Sequence, residues 1–219
     1  MTDDATQVAW LSQLAAGLAH DLNNVLGGVN NIAGAALMDA QSPPDGTLAD
    51  DLRQIVRTSR EGLAVAARLA VLGRSRSPKR MEVDARAALA QAIRAVQAPE
   101  GAVFLECPPA LSLQADAKLL HEALCALLQN ALDATEGGGP VWARATREGQ
   151  HIFFSICDRA GPLPEHLGPL WAPYTTTKSG GRGRGLGLTL AWAVAVGHGG
   201  ALRLGAEAGE TRAVLQVPV

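Results

Sequence analysis

The sequence has little that would tie it to an oxidising compartment, a nucleic acid or a bilayer. Three of its 219 residues are cysteine, at positions 107, 125 and 157. The number is odd and the spacing wide, so they make neither a disulfide framework nor a metal-ligand pattern. Each sits in an apolar run, as a small buried hydrophobe would, and a reducing compartment follows. Aromatic residues are only 4% against 47% hydrophobic residues in all, so the core must be built from Ala, Leu and Val. Neither sign of charge is in excess. A formal net charge of -2 gives no reason to expect nucleic acid or an anionic membrane as partner. The longest apolar run, near Leu188 to Val196, is too short to span a bilayer. Met1-Thr-Asp-Asp is acidic, with no apolar core behind it, which does not fit a signal peptide. The expected location is therefore cytoplasmic.

What is present begins with periodicity. Residues 6 to 38 read as one long helix, and Leu11, Leu14, Leu18, Leu22, Val25, Val29 and Ile32 share one narrow stripe. His20 points away from that stripe. Asn24 lies one turn on, on the same face. Asp21 lies between the two faces and can reach the imidazole from the side. Gln41-Ser-Pro-Pro-Asp-Gly46 breaks the helix. A second helix, about 47 to 73, carries Leu48, Leu52, Ile55, Leu63, Ala66 and Leu69 at steps of three and four. Two such helices on a short loop make an antiparallel hairpin with more apolar surface than it can cover, so a dimeric four-helix bundle is expected. The polar, basic segment 74–80 reads as a linker.

From Met81 the pattern is mixed. Helices are expected at 83–97, 117–135 and 185–196. Strands are expected at 102–107, 110–114, 141–147, 151–158, 201–206 and 211–217. Asp116 caps the second of these helices and Pro99 ends the first. Helices beside an antiparallel sheet make an α/β sandwich, so the whole chain is of the α+β class. The domains are 1–75 and 81–219. Residues 159 to 184 form a long loop rich in Gly, Pro and Thr, of the kind that is usually functional.

Four segments after the linker carry candidate chemistry. Leu127-Leu-Gln-Asn-Ala-Leu-Asp-Ala134 offers a helical amide, Asn130, suited to a hard cation that bridges phosphates. Cys157-Asp-Arg-Ala-Gly-Pro-Leu-Pro164 puts a carboxylate, Asp158, at a strand end. Leu170-Trp-Ala-Pro-Tyr-Thr-Thr-Thr-Lys178 ends in a cation. Gly181-Arg-Gly-Arg-Gly-Leu-Gly-Leu188 runs into a helix whose backbone N–H groups can face an anion.

In this order these segments resemble the ATP-binding domain that histidine kinases share with type II topoisomerases, mismatch-repair ATPases and a chaperone family. His-Asp-Leu-Asn-Asn at 20–24 resembles the phosphoacceptor box of sensor histidine kinases. The resemblance implies ATP and Mg²⁺ as cofactors, with Asn130 as metal ligand. It implies nucleotide contacts from Asn130, Asp133, Asp158, Gly161, Thr177, Lys178, Gly183, Gly185, Leu186 and Gly187. His20, Asp21 and Asn24 would form the catalytic set in a homodimer that passes phosphate to an Asp of a response-regulator receiver domain. Trp171 and Tyr174 would anchor a lid, and His198 would be structural. In two places the sequence departs from the family. Ala126 stands where water-hydrolysing relatives carry a Glu, which favours a kinase over a hydrolase. Ala160 and Pro162 replace two glycines of the family's Asp-x-Gly-x-Gly box, with Gly161 between them. A histidine phosphotransferase with a degenerate second domain, or a dimeric scaffold with His20 idle, are the other readings.

Overall fold

The computed structural model describes residues 2–39, 46–136, 139–161, 186–207 and 209–219. These fall into two compact units, 9–74 and 75–219, the second also taking in residues 1–8.

The helical unit is α1 (Thr2–Asp39) and α2 (Gly46–Arg74). Gly62 of α2 lies against Leu26 of α1, and Gly73 lies against Ala16, where an added Cβ would stand 2.9 Å from that of Ala16. One index rises as the other falls, so the helices run antiparallel. Glycine is needed at 73, where the backbone of Ala16 comes close, while at 62 the Leu26 side chain could give way. Ser12, Ala15, Ala19 and Ala33 are buried on α1, and Ala49, Ser59 and Ala66 on α2. Small residues thus line much of the buried side of α1, while α2 also buries Leu69, Val71 and Leu72. The expected stripe of large residues does something else. Leu14, Leu18, Val25, Val29 and Ile32 are all exposed in the single chain, Val25 at 66% and Ile32 at 74%. The leucine-rich stripe is therefore not the seam of the hairpin itself.

The second unit is one layer of helices on one sheet. Its order is β1 (Met81–Asp84), α3 (Ala85–Ala95), β2 (Val103–Glu106), β3 (Ser112–Ala115), α4 (Ala117–Ala134), β4 (Val141–Glu148), β5 (His151–Asp158), α5 (Gly187–Gly197), β6 (Ala201–Glu207) and β7 (Glu210–Pro218). The main sheet runs β2-β4-β5-β7-β6, antiparallel except that β2 lies parallel to β4. Strand alternation sends Ala143, Ala145, Ile152, Phe154, Ile156, Leu215 and Val217 to the helix side, where they are buried. Helix α4 meets them with Leu120, Leu124, Leu127 and Leu128. Helix α5, apolar nearly all round, is buried from Thr189 to Ala195, as expected of a helix packed on several sides.

One expected element changes type. The helix expected at 83–97 starts at Ala85, and residues 81–84 are a strand paired with β3 in a separate two-stranded sheet. Asp84 explains the switch. Its side chain accepts from the Ala87 N–H at 2.6 Å and caps α3, which frees Met81, Glu82 and Val83 to extend. The cysteines also differ from one another. Cys157 is buried, while Cys107 and Cys125 are only partly so. Burial, with Glu122 nearby, pushes the Cys125 thiol up to about 11, which makes it a poor nucleophile.

Residues 75–80 are docked on the second unit. Ser75 is fully buried, and its carbonyl lies so close to Gly197 that a Cβ there would collide with it. The Lys79 N–H donates to Asp116 Oδ2 at 2.9 Å, and the Arg80 guanidinium donates to the His198 carbonyl at 2.9 Å.

Candidate nucleotide and phosphoacceptor sites

His20 is exposed on α1. Its Nε2 lies 3.2 Å from Asn24 Nδ2, one turn on, as helical spacing requires. With that amide nitrogen as donor, Nε2 carries the ring's lone pair and Nδ1 the proton. Asp21 is exposed beside them, and among the described residues no hydrogen bond or ion pair joins it to His20.

In the second unit the candidate residues gather at one end of the helical layer. Asp116 caps α4 through the Lys118 and Leu119 N–H groups, both at 3.1 Å. The helix then carries Ala126, Asn130 and Asp133 at its other end. Asn130 and Asp133 are exposed, and Gln129 donates to Asp133 at 2.7 Å. Gly187 opens α5 against Ala126, and a Cβ there would sit 3.7 Å from that of Ala126. The start of α5 is thereby fixed one helical turn from Asn130. Leu186, its N-cap, makes no side-chain cap, and the first N–H bonded inside the helix is that of Leu190. The start of a helix is a place where an anion is welcome. Alanine at 126 is also what this packing admits, and the next carboxylate back, Glu122, is exposed a full turn away.

Asp158 ends β5 and is 5% exposed. Burial raises its carboxyl above the ordinary carboxylate range, partly offset by the Ala160 N–H, which donates to its Oδ1 at 3.0 Å. Gly161 adopts φ 118°, a conformation open to glycine and costly for other residues. The glycine the turn needs is thus at 161, while alanine occupies 160. Thr211, opposite Asp158 in the β5–β7 register, donates its hydroxyl to the Gly161 carbonyl at 2.7 Å. Nothing in the sequence alone singled out Thr211, because the cross-strand register that sets it beside Asp158 is not visible there. Thr177, Lys178, Gly183 and Gly185, with Trp171 and Tyr174, lie outside the described residues.

His198 is 1% exposed, and both its nitrogens are engaged. Nδ1–H donates to the Val194 carbonyl at 2.8 Å, and Nε2 accepts from the Asp116 N–H at 2.9 Å. Burial lowers its pKa and the Arg80 charge adds to this, against the Val194 carbonyl and the Asp116 carboxylate. The ring is neutral and joins the end of α5 to the start of α4. Partial burial would push Asp116 up, but the Lys79, Leu119 and Lys118 N–H groups together hold it below its usual value. Among the described residues no cluster of three or more His, Cys, Asp or Glu could hold a metal ion, so a cation here would depend on Asn130 together with phosphate oxygens. An exposed amide beside an open helix start fits that requirement.

Comparison with known proteins bears on the same residues. Residues 115–219 match the family described as histidine kinase-, DNA gyrase B-, and HSP90-like ATPase. The sensor histidine kinase ZraS of Escherichia coli is 27% identical over 207 residues, covering 91% of this chain and 43% of ZraS. The nitrogen regulation protein NtrY of Azorhizobium caulinodans is 34% identical over 91 residues, 38% of this chain and 12% of NtrY. The chain thus spans less than half of either relative. In fold, it is similar to full-length ShkA crystallised with AMPPNP, with a TM-score of 0.70 and 19% identity over 94% of this chain and 46% of that one. A histidine kinase from Burkholderia phymatum aligns over 100% of this chain and 99% of its own, with a TM-score of 0.52 and 23% identity. No described helix is long and apolar enough to cross a membrane.

Proposed function

We propose that the chain carries the catalytic core of a sensor histidine kinase, phosphorylates His20 from ATP and passes the phosphate to an Asp of a response-regulator receiver domain. The observation that carries this reading is the pairing of two features in one chain: an exposed histidine bonded to an amide one turn on, and an ATPase-type domain whose α5 start is open beside Asn130. Residues 1–75 would be the phosphotransfer hairpin and 81–219 the ATP-binding domain. The exposed stripe Leu14, Leu18, Val25, Val29, Ile32 would close a four-helix bundle with a second copy. A cytoplasmic location goes with this reading.

Asp158, with Gly161 behind it, would accept the adenine amino group. The Leu186–Gly187 amides, with Gly183 and Gly185, would face the phosphates, and Thr177 and Lys178 the terminal one. Asp133 borders the same end of α4. Mg²⁺ on Asn130 would neutralise charge between phosphates. The Nε2 lone pair of His20 forms the N–P bond as the bridging P–O bond to ADP breaks, and the Nδ1 proton passes to Asp21. Asn24 must release Nε2 first. In the alternative, reverse role, Asn24 would orient water for dephosphorylating the receiver. Position and charge neutralisation supply most of the rate. With alanine at 126 no side chain there activates water, in keeping with phosphate transfer rather than ATP hydrolysis.

Incubation with γ-labelled ATP and Mg²⁺ should leave an acid-labile, base-stable phosphate on the protein. His20→Ala should abolish it and keep ATP binding. Label retained in that variant, or mapped to His121, His151, His166 or His198, would refute the assignment. A phosphotransferase is the alternative if ATP does not bind at all but His20 still takes phosphate from a phosphorylated receiver.

A further inference from the structure

We propose that Thr211 is the positioning residue that holds the Asp158 turn in its nucleotide-binding shape; this rests on the reading of Asp158 given above. The turn Asp158-Arg159-Ala160-Gly161 has three ties. Within the turn, the Ala160 N–H donates to Asp158 Oδ1. The other two lead to the start of β7: Arg159 to Glu210 at 3.0 Å, and the Thr211 hydroxyl to the Gly161 carbonyl at 2.7 Å. Arg159 also lies over the Trp142 ring, 4.9 Å from its centre.

These ties are unequal. Arg159 is 62% exposed, and an ion pair so open to water contributes little. The Thr211 bond is short and partly buried, and it acts on the one residue of the turn with free choice of backbone conformation. Gly161 could take many φ values, and its carbonyl is what Thr211 fixes. The next residue, Pro162, has no N–H to offer as a further tie. The sequence thus moves the glycine by one position relative to the family box and couples it to a hydroxyl from the neighbouring strand. Asp158 and Thr211 are register partners, so the same pairing that places the carboxylate places the clamp.

The test is equilibrium binding of Mg-ATP and Mg-GTP to the full chain, in the wild type and in Asp158→Asn, Thr211→Val and Thr211→Ser. Thr211→Val should weaken ATP about three- to tenfold, as expected for one net hydrogen bond. GTP, which lacks the amino group at that position, should hardly change, so the ATP preference shrinks by the same factor. Thr211→Ser should restore wild-type values, and in autophosphorylation the KM for ATP should rise with kcat unchanged. Wild-type affinity and preference in Thr211→Val, or failure of serine to rescue, overturns the role of Thr211. If Asp158→Asn removes the preference while Thr211→Val keeps it, Thr211 alone is refuted. A preference untouched by Asp158→Asn, or no ATP binding by the wild type, overturns the adenine reading and this inference with it. Should Thr211→Val not fold, Thr211→Cys, with a weaker donor of similar size, takes its place.

Discussion

The two units differ in how many of their large apolar residues they cover. In the second, the large side chains face inward. Phe154, Ile152, Ile156 and the α4 leucines are buried, and exposed large residues include Phe104 and Met81. In the helical unit α2 buries Leu69, Val71 and Leu72, but the buried residues of α1 within that unit are small and five of its large ones face outward. Leu14, Leu18, Val25, Val29 and Ile32 make a continuous stripe along one helix, longer than scattered exposure accounts for. One unit is a closed folding problem. The other leaves a stripe of large residues uncovered in the single chain, and in the proposed dimer its stability would depend on protein concentration.

This contrast can be broken in four places. The largest effect is expected at the open stripe. Val25 is largely exposed in the single chain, but Val25→Asp would bury a charge in a bundle, so sedimentation should show a monomer with ATP affinity unchanged. A wild type that already sediments as a monomer at micromolar concentration would remove the basis of the contrast. Next is the closed core, where Phe154→Ala should cost about 3–5 kcal/mol in denaturant unfolding of the second unit and leave assembly intact. An effect on assembly there would mean the units are not separable.

A third test uses pH. The folded pKa of His198 lies below its ordinary value of 6.5 because burial disfavours the charged ring. The unfolded chain therefore binds more protons just below that value. Stability from this ring is complete above it and declines as pH falls through it toward the folded pKa, with Arg80 and Asp116 the charges that face it. Melting of wild type against His198→Gln should show this slope in the wild type only. The smallest effect is expected at Asp84→Ala, about 1 kcal/mol for loss of the α3 cap. The same substitution removes the acceptor of the Ala87 N–H, so that amide should exchange faster.

Much of this was legible in the sequence, for identifiable reasons. Long periodic segments such as 117–134, and strands bounded by turn residues such as Glu148-Gly-Gln150, declare themselves locally. The exposed His20–Asn24 pair follows from helical spacing alone. What escaped depends on distant partners. Residues 81–84 become a strand only because β3 lies beside them. The leucine stripe of α1 was legible as a stripe, but sequence could not tell that the hairpin would close on the alanine side instead. Thr211 is silent until register sets it against Asp158. The order and spacing of the site motifs carried the family, while the ties that brace them are long-range contacts.

Residues 75–80 have a practical consequence for cutting the chain. Three trypsin sites lie in that stretch, at Arg76, Lys79 and Arg80, with a fourth at Arg74 just before it. Ser75 is seated under Gly197, and Lys79 and Arg80 are bound to Asp116 and the His198 carbonyl. A protease needs a segment it can pull into an extended path, so the anchored bonds after Lys79 and Arg80 should resist while Arg76, which is exposed, yields first. A catalytic fragment begun at Met81, where composition changes, would discard both ties and leave the floor under Gly197 missing. One begun at Ser75 keeps them, and it should express better and melt higher for the sake of six residues that look, in sequence, like spacer.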